Sequence, residues 1–65
     1  MKFYAVQIGD DYNWDYGSYD AEAARKLAEI EAEDADNDGK EIRIAIIDTK
    51  YNVCDGVQIV REGDK

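Results

Sequence analysis

Histidine and proline are absent from this 65-residue sequence, and serine and cysteine occur once each, at Ser18 and Cys54. Histidine is the commonest general base and metal ligand of proteins, so its absence excludes every Ser-His-Asp and Cys-His catalytic arrangement. The sequence also lacks a glycine-rich phosphate loop and a dinucleotide-binding fingerprint. We therefore expect a protein that is not an enzyme, has no catalytic residues and requires no cofactor.

Long apolar runs are missing too. The N-terminal segment reaches Gly9 without an apolar stretch of the length that a signal peptide or a membrane span requires. A lone cysteine cannot form an internal disulfide, and we expect Cys54 to be a small, half-buried core residue. These observations predict a cytoplasmic protein.

The length allows one small domain, residues 1–65. A domain of this size buries a thin core, which contributes roughly 3–5 kcal/mol of net stability without disulfides or metal. We expect a dimer interface or a bound partner to add to that stability.

Acidic residues dominate the charge, with a formal net charge of −8. The acidity is concentrated between residues 10 and 38, where eleven carboxylates face only Arg25 and Lys26, a local net charge of −9. Residues 42–61 carry three basic and two acidic side chains, a net charge of +1. A negative field repels nucleic acid and anionic membranes and attracts basic surfaces. We therefore expect a basic protein surface as the partner, without direct nucleic-acid or membrane binding.

Four secondary-structure elements are predicted. Residues 2–8, 41–48 and 53–61 are rich in aromatic and β-branched residues and predict strands, with a bulge or kink at Asp55-Gly56. Residues 20–33 are strong helix formers with an apolar stripe of Ala23, Leu27 and Ile30, flanked by Ala24. The expected fold is α+β with the order β-α-β-β, one amphipathic helix packed on a three-stranded sheet.

The alternation in the second strand places Ile42, Ile44 and Ile46 on the core face and Arg43, Ala45 and Ile47 on the other. Which strand of the hairpin pairs with the first strand stays open at this point.

Asp34, Asp36, Asp38 and Gly39 resemble the first half of an EF-hand calcium loop. The second half departs from that pattern, because Glu41 occupies position 8 and Ala45 occupies position 12, where a bidentate glutamate is needed. One hypothesis is therefore a divalent-cation site formed by Asp34, Asp36 and Asp38. The alternative is a polar turn after the helix, with Gly39 in the left-handed conformation.

The segment from Gly9 to Asp20 contains the only tryptophan, Trp14, together with Tyr12, Tyr16 and Tyr19. Tyrosine and tryptophan recur as interface hot spots, and nearby aspartates attract basic partner residues. The alternative is that these rings cover the thin core, which is our interpretation for Tyr19 next to the helix start. For Tyr12 and Trp14 both interpretations stay open.

In size, acidity and layout the whole chain resembles small proteins of bacteriophages and mobile elements, including anti-CRISPR and other anti-defence proteins. The resemblance implies an inhibitor that acts in the bacterial host cell by mimicking nucleic acid in the basic groove of a nucleic-acid-handling complex. The candidate partner-binding residues lie on the loop and the helix: Asp11, Tyr12, Trp14, Asp15, Glu22, Glu29, Glu33 and Asp36. The alternatives are calcium binding and a self-associating homodimer that uses a sheet edge or a sheet face with Ile47 and Val60.

Overall fold

A computed structural model describes residues 1–64 and shows an α+β fold, as predicted. The elements in chain order are β1 (Lys2–Ile8), β2 (Gly17–Ser18), α1 (Ala21–Glu33), a short 3-10 helix (Ala35–Asn37), β3 (Ile42–Asp48) and β4 (Val53–Arg61). Asp20 begins α1 as its N-cap, and its carboxylate accepts hydrogen bonds from the amides of Glu22 and Ala23. No helix within residues 1–64 is long and apolar enough to cross a membrane.

The sheet is antiparallel with the strand order β2-β1-β3-β4, so the expected three strands are in fact four. The additional strand β2 consists of two residues, with Ala5 paired to Gly17 and Tyr4 paired to Ser18. Gly17 allows this approach, because a Cβ atom there would lie 1.9 Å from the Tyr4 carbonyl oxygen. The pairing left open by the sequence is also resolved, because β1 pairs with β3 along its whole length.

Helix α1 packs on one face of the sheet, which we call the helix face. Its buried residues are Ala24 and Ala28, which pack against Val6, Ile42 and Ile44. Alanine lets the helix approach the strands closely, since it has only a Cβ atom to accommodate. The predicted stripe was wrong at one position, because Ile30 is 62% exposed. The helix is rotated so that the small residues, and not Ile30, meet the sheet.

The opposite face of the sheet, which we call the loop face, has a core of its own. Ala5, Ala45 and Ile47 are buried there, and Phe3 packs against them. The sequence placed Ala45 and Ile47 on this face but did not predict that they are buried. The loop between β1 and β2 covers part of this face, as the contacts below show.

The bulge and the left-handed turn predicted from the sequence are both present. Asp55 is the extra residue of a β-bulge, because Ile46 pairs with Gly56 whereas Ile47 pairs with Cys54. Gly39 has a φ of 79°, as expected for a left-handed turn residue after the helix. Cys54 is exposed, which corrects the expectation of a half-buried core residue, because its strand β4 lies at the edge of the sheet.

Candidate functional site

The helical part of the predicted site points away from the sheet. Successive residues of an α-helix are rotated by about 100°, so Glu22, Glu29 and Glu33 lie within roughly 40° of one another. This line is opposite the buried Ala24 and Ala28, and all three glutamates are exposed. Asp36, in the 3-10 helix, is also exposed.

Acidic residues accumulate where α1 ends. We call this surface the acidic helix end, and its members are all exposed: Glu29, Glu33, Asp34, Asp36 and Asp38. The last turn of α1 contains no basic residue. Among the described residues only Glu29 of this group forms an ion pair, with Arg25 at 3.6 Å. Since the C-terminus of a helix carries the negative end of its dipole, these carboxylates lie where helix electrostatics disfavour them.

Arg61 of β4 compensates part of this negative charge. Its guanidinium donates hydrogen bonds to the carbonyl oxygens of Ala32 at 2.7 Å and Lys40 at 2.9 Å, and to that of Asn37. These bonds satisfy carbonyl groups at and after the helix end, which have no partner within the helix. Sequence reasoning missed this role, because the cation lies more than twenty residues from the carbonyls that it caps.

The three aspartates proposed to bind calcium are not brought together. Asp34 Oδ1 accepts a hydrogen bond from the Asp36 amide at 2.9 Å and so caps the 3-10 helix. The backbone amide of Asp38 donates to the Ala35 carbonyl at 3.1 Å. Within residues 1–64 no group of three or more His, Cys, Asp or Glu side chains is placed to hold a metal ion. The geometry is that of the alternative, a capped polar turn.

The loop part of the predicted site lies on the loop face, where Arg43 anchors it. Arg43 is 3% exposed, and its Nη2 donates to the carbonyl oxygens of Gly9 at 2.7 Å and Asp11 at 3.1 Å. Its guanidinium carbon lies 3.9 Å from the centroid of the Tyr12 ring, a cation–π contact. The arginine therefore holds the start of the loop against β3.

Two further hydrogen bonds make the Arg43 anchor specific. Arg43 Nε donates to Gln7 Oε1 at 3.0 Å, and Arg43 Nη1 donates to Glu41 Oε2 at 2.8 Å. Gln7 in turn donates through Nε2 to the Asn13 carbonyl at 2.7 Å. Buried polar groups are costly unless they are paired, and this network pairs them.

Asn13 shapes the rest of the loop. Its Oδ1 accepts hydrogen bonds from the amides of Asp15 at 3.1 Å and Tyr16 at 2.8 Å, and its Nδ2 donates to the Val6 carbonyl at 3.2 Å. Asp11 also serves the loop structure, because its Oδ1 accepts from the Asn13 amide at 3.1 Å. The conformation of residues 11–16 is therefore held by the protein itself.

An aromatic cleft of about 350 Å³ opens on the loop face. Three aromatic rings, one aliphatic side chain and three polar residues line it: Phe3, Trp14, Tyr19, Ile47, Asp15, Thr49 and Asn52. Phe3 and Tyr19 meet edge to face, with ring centroids 4.9 Å apart. This contact agrees with the interpretation of Tyr19 as a cover for the core, although its ring is still 60% exposed.

The sheet therefore separates the predicted binding residues into two groups. Tyr12 contacts Arg43 and Trp14 shares a cleft with Ile47, so both aromatic residues lie on the loop face. The helical carboxylates lie on the outer side of α1, beyond the helix face. The predicted binding residues therefore form two surfaces, because Arg43 holds the loop on the side of the sheet opposite the helix.

A second cleft, with a volume of about 660 Å³, lies beside the Arg43 anchor. It is lined by residues 8–12, 39–41, 43, 63 and 64, and the guanidinium in it is already committed to the hydrogen bonds described above. The described residues that line this cleft hold the loop in place, and they include no pair of a nucleophile and a general base.

Within residues 1–64 three groups have shifted pKa values, and none of them lines either cleft. A hydrogen bond to Asp55 raises the pKa of Lys2. A hydrogen bond to Glu31, with partial burial, raises the pKa of Tyr16. For Asp48 partial burial favours a higher pKa, but the amides of Lys50 and Tyr51 and the Lys2 ammonium outweigh it and lower the pKa. Each shift comes from a contact that supports the fold.

The edge and face proposed for self-association also differ from expectation. Ile47 and Val60 do not share a face, because Ile47 belongs to the core of the loop face and Val60 packs against the core below the helix. Strand β4 is an outer strand with Val57 55% and Ile59 46% exposed. Its bulge at Asp55 interrupts the regular edge, a common protection against strand pairing between molecules. Self-association stays a prediction.

No protein family, curated protein or solved structure matches this chain in sequence or fold comparisons. The resemblance to phage and anti-defence proteins likewise stays a prediction.

Proposed function

We propose that this protein is a non-catalytic, acidic protein-binding module that acts in the bacterial cytoplasm. In this proposal the acidic helix end docks in a basic groove of a nucleic-acid-handling complex, such as a CRISPR effector, and blocks it. The observation that supports the proposal is the accumulation of exposed carboxylates at the negative end of the α1 dipole.

Asp34 caps the 3-10 helix and Glu29 pairs with Arg25, but the placement of Glu33, Asp36 and Asp38 is difficult to explain by stability alone. Acidic residues near a helix C-terminus cost about 0.3–1 kcal/mol each at low ionic strength. A domain with roughly 3–5 kcal/mol from its core has little stability to lose. A basic partner would convert this repulsion into attraction, since its cations would neutralise the exposed carboxylates.

The form of the surface fits a groove that binds a phosphate backbone. Glu29 and Glu33 are one helical turn apart, about 6 Å along the axis. Asp36 is exposed in the 3-10 helix that follows. A row of negative charges on a preformed helix requires little ordering when it binds. Proteins that bind nucleic acids expose arginine and lysine along such grooves to neutralise phosphates.

The test compares two variants with the same change in net charge. E29Q/E33Q/D36N removes three charges from the acidic helix end. Y51K/D55N/Q58K makes an equal change at exposed positions of the β3–β4 hairpin. Each protein is immobilised and incubated with bacterial lysate at about 50 mM and about 200 mM salt.

We expect the wild type and the hairpin variant to retain the same nucleic-acid-binding protein at low salt, and the helix-end variant to lose it. Retention should fall about tenfold or more at the higher salt concentration. In a second step, the wild type should reduce the binding of labelled DNA or RNA by the purified captured protein. Equal capture by all three proteins, or unchanged nucleic-acid binding in the second step, would contradict the proposal.

A further inference from the structure

The aromatic cleft on the loop face combines three rings with one carboxylate. We propose that it binds an arginine side chain of a partner protein. The rings belong to Phe3, Trp14 and Tyr19, and the carboxylate is that of Asp15. This site is separate from the acidic helix end, since the sheet lies between the two, and the inference does not depend on the proposed function.

The rings are available for contact. Trp14 is 42% exposed and Tyr19 is 60% exposed, which is a large aromatic area to leave in water in a small domain. Phe3 fixes the Tyr19 ring edge to face at an interplanar angle of 73°. Planar cations bind favourably over such rings, and tryptophan is the best aromatic partner.

The charge of the cleft selects a cation. Among the described residues that line the cleft, Asp15 supplies the only formal charge, because Thr49 and Asn52 are neutral and no lysine or arginine of residues 1–64 lines it. A guanidinium can stack on a ring and at the same time donate two parallel hydrogen bonds to a carboxylate. An ammonium group is compact and strongly hydrated, so it makes the same contacts less well.

The cleft is preorganised by the loop that forms one of its walls. The side chain of Asn13 accepts a hydrogen bond from the backbone amide of Asp15 at 3.1 Å, and Gln7 donates to the Asn13 carbonyl at 2.7 Å. Trp14 lies between these two fixed residues. A binding site that is ordered in advance loses less conformational entropy when the ligand enters.

The same face already contains one arginine–aromatic contact within the chain. The guanidinium of Arg43 lies over the Tyr12 ring at 3.9 Å while it donates to neighbouring oxygen atoms. The aromatic cleft offers an external arginine the same combination of aromatic ring and oxygen acceptors. No lysine or arginine of residues 1–64 lines it. Its volume of about 350 Å³ is sufficient for one long side chain.

The inference is tested on the full chain with the capped tripeptide acetyl-Gly-Arg-Gly-amide. Trp14 is the only tryptophan, so its fluorescence and its indole N–H resonance report directly on the cleft. Two peptides of the same length serve for comparison, one with citrulline, the neutral isostere of arginine, and one with lysine. D15N tests the carboxylate, and E62Q is the control with an equal change in charge at an exposed site.

We expect saturable binding of the arginine peptide at millimolar concentrations, with a shifted Trp14 indole resonance. D15N and the citrulline peptide should each weaken binding about tenfold, the lysine peptide should bind several-fold more weakly, and E62Q should match the wild type. The inference is overturned if up to about 10 mM arginine peptide leaves Trp14 unchanged, if D15N binds as well as the wild type, or if lysine binds as tightly as arginine.

Discussion

Arg43 illustrates how much one buried residue can organise in a thin domain. Its guanidinium hydrogen-bonds to Gln7, Glu41 and two backbone carbonyls, and it also contacts the Tyr12 ring. The partners come from β1, the following loop and the segment before β3. Because these contacts together require a planar, forked guanidinium, lysine cannot replace arginine at this position.

We expect R43K to lower the free energy of unfolding by about 2 kcal/mol, because lysine has fewer hydrogen-bond donors than arginine and leaves buried acceptors unpaired. Urea denaturation measures the change. R25K is the matched control, because Arg25 forms an exposed pair with Glu29 and should change stability by less than about 0.5 kcal/mol. Equal effects of the two substitutions would show that the Arg43 network contributes little.

Tyr16 holds the loop at a second point, where it contacts α1. Its hydroxyl donates to Glu31 Oε2 at 2.7 Å, and its side chain is 37% exposed. The hydrogen bond requires the neutral phenol, which explains the direction in which the pKa of Tyr16 is shifted, upward from 10.0. A group whose pKa is raised by folding stabilises the folded state below its unfolded pKa and loses that contribution as the pH rises through its folded pKa.

Y16F should therefore reduce stability by roughly 0.5 kcal/mol at neutral pH, a small value because the bond is partly exposed. The difference between wild type and Y16F should stay constant up to about pH 10 and shrink above it. Urea denaturation at a series of pH values measures this difference, and Y51F, at an exposed tyrosine, is the control. A difference that grows at alkaline pH would contradict the assigned hydrogen bond.

At the scale of the element, α1 has favourable electrostatics at its start and unfavourable electrostatics at its end. Asp20 caps the N-terminus and Glu22 lies in the first turn, whereas the last turn has no basic residue. Arg61 supplies a cation from β4, but it reaches the backbone carbonyls and not the carboxylates. The sequence shows this asymmetry directly, since helix bounds and charges follow from local composition.

The substitutions E33K and E22K make the same chemical change at the two ends of α1. E33K should raise the free energy of unfolding by roughly 0.5–1 kcal/mol, because a cation at the helix C-terminus interacts favourably with the dipole. E22K should be less stable than E33K by about 1 kcal/mol, because the general reduction of net charge is equal in both. Thermal or urea unfolding measures the stability of both variants. Equal stabilities would contradict a role of the helix dipole.

For the proposed function, the negative charge at the end of α1 implies a trade-off between stability and binding. If the acidic helix end is retained for binding, E33K should stabilise the domain and at the same time weaken its binding to the partner. Residues that serve only the fold show the opposite behaviour, since their replacement costs stability.

At the scale of the whole molecule, a net charge of −8 on 65 residues makes self-repulsion a general cost of folding. The cost is concentrated at residues 10–38, while residues 42–61 are close to neutral. Salt screens such repulsion, since the Debye length falls from about 30 Å at 0.01 M to about 3 Å at 1 M.

We therefore expect the free energy of unfolding to rise by about 1 kcal/mol between about 0.01 M and about 0.5 M sodium chloride, while binding of a basic partner becomes weaker. Denaturation with urea, which is uncharged, separates the effect of salt from that of the denaturant. E29Q/E33Q/D36N should show a smaller increase than Y51K/D55N/Q58K. A stability independent of salt in the wild type would mean that the clustered carboxylates do not repel one another appreciably.

Much of the fold follows from local patterns. The helix, three of the strands, the bulge at Asp55 and the left-handed turn at Gly39 were predicted from residue types and spacing, because these features depend on neighbours along the chain. Strand β2 was not predicted, since two residues, Gly17 and Ser18, carry no periodic pattern and become a strand only by pairing with β1.

The candidate binding residues on the helix are exposed, but the arrangement of all the candidate residues in space was not predicted. The loop reaches the loop face because Arg43, more than thirty residues further along the chain, binds the carbonyls of Gly9 and Asp11. No local pattern encodes that contact. The burial of Ala24 and Ala28 in place of Ile30 likewise depends on how closely the helix approaches the sheet.

The sequence by itself determined the composition of this protein's surfaces: a strongly acidic helix, an acidic aromatic loop and a nearly neutral hairpin. Only the tertiary structure decided that the helix and the loop lie on opposite sides of one sheet and therefore form two surfaces. The physical reason is that charge and helix or strand preference belong to residues and their sequence neighbours. The side of the sheet on which a loop lies depends instead on hydrogen bonds between residues far apart in the chain.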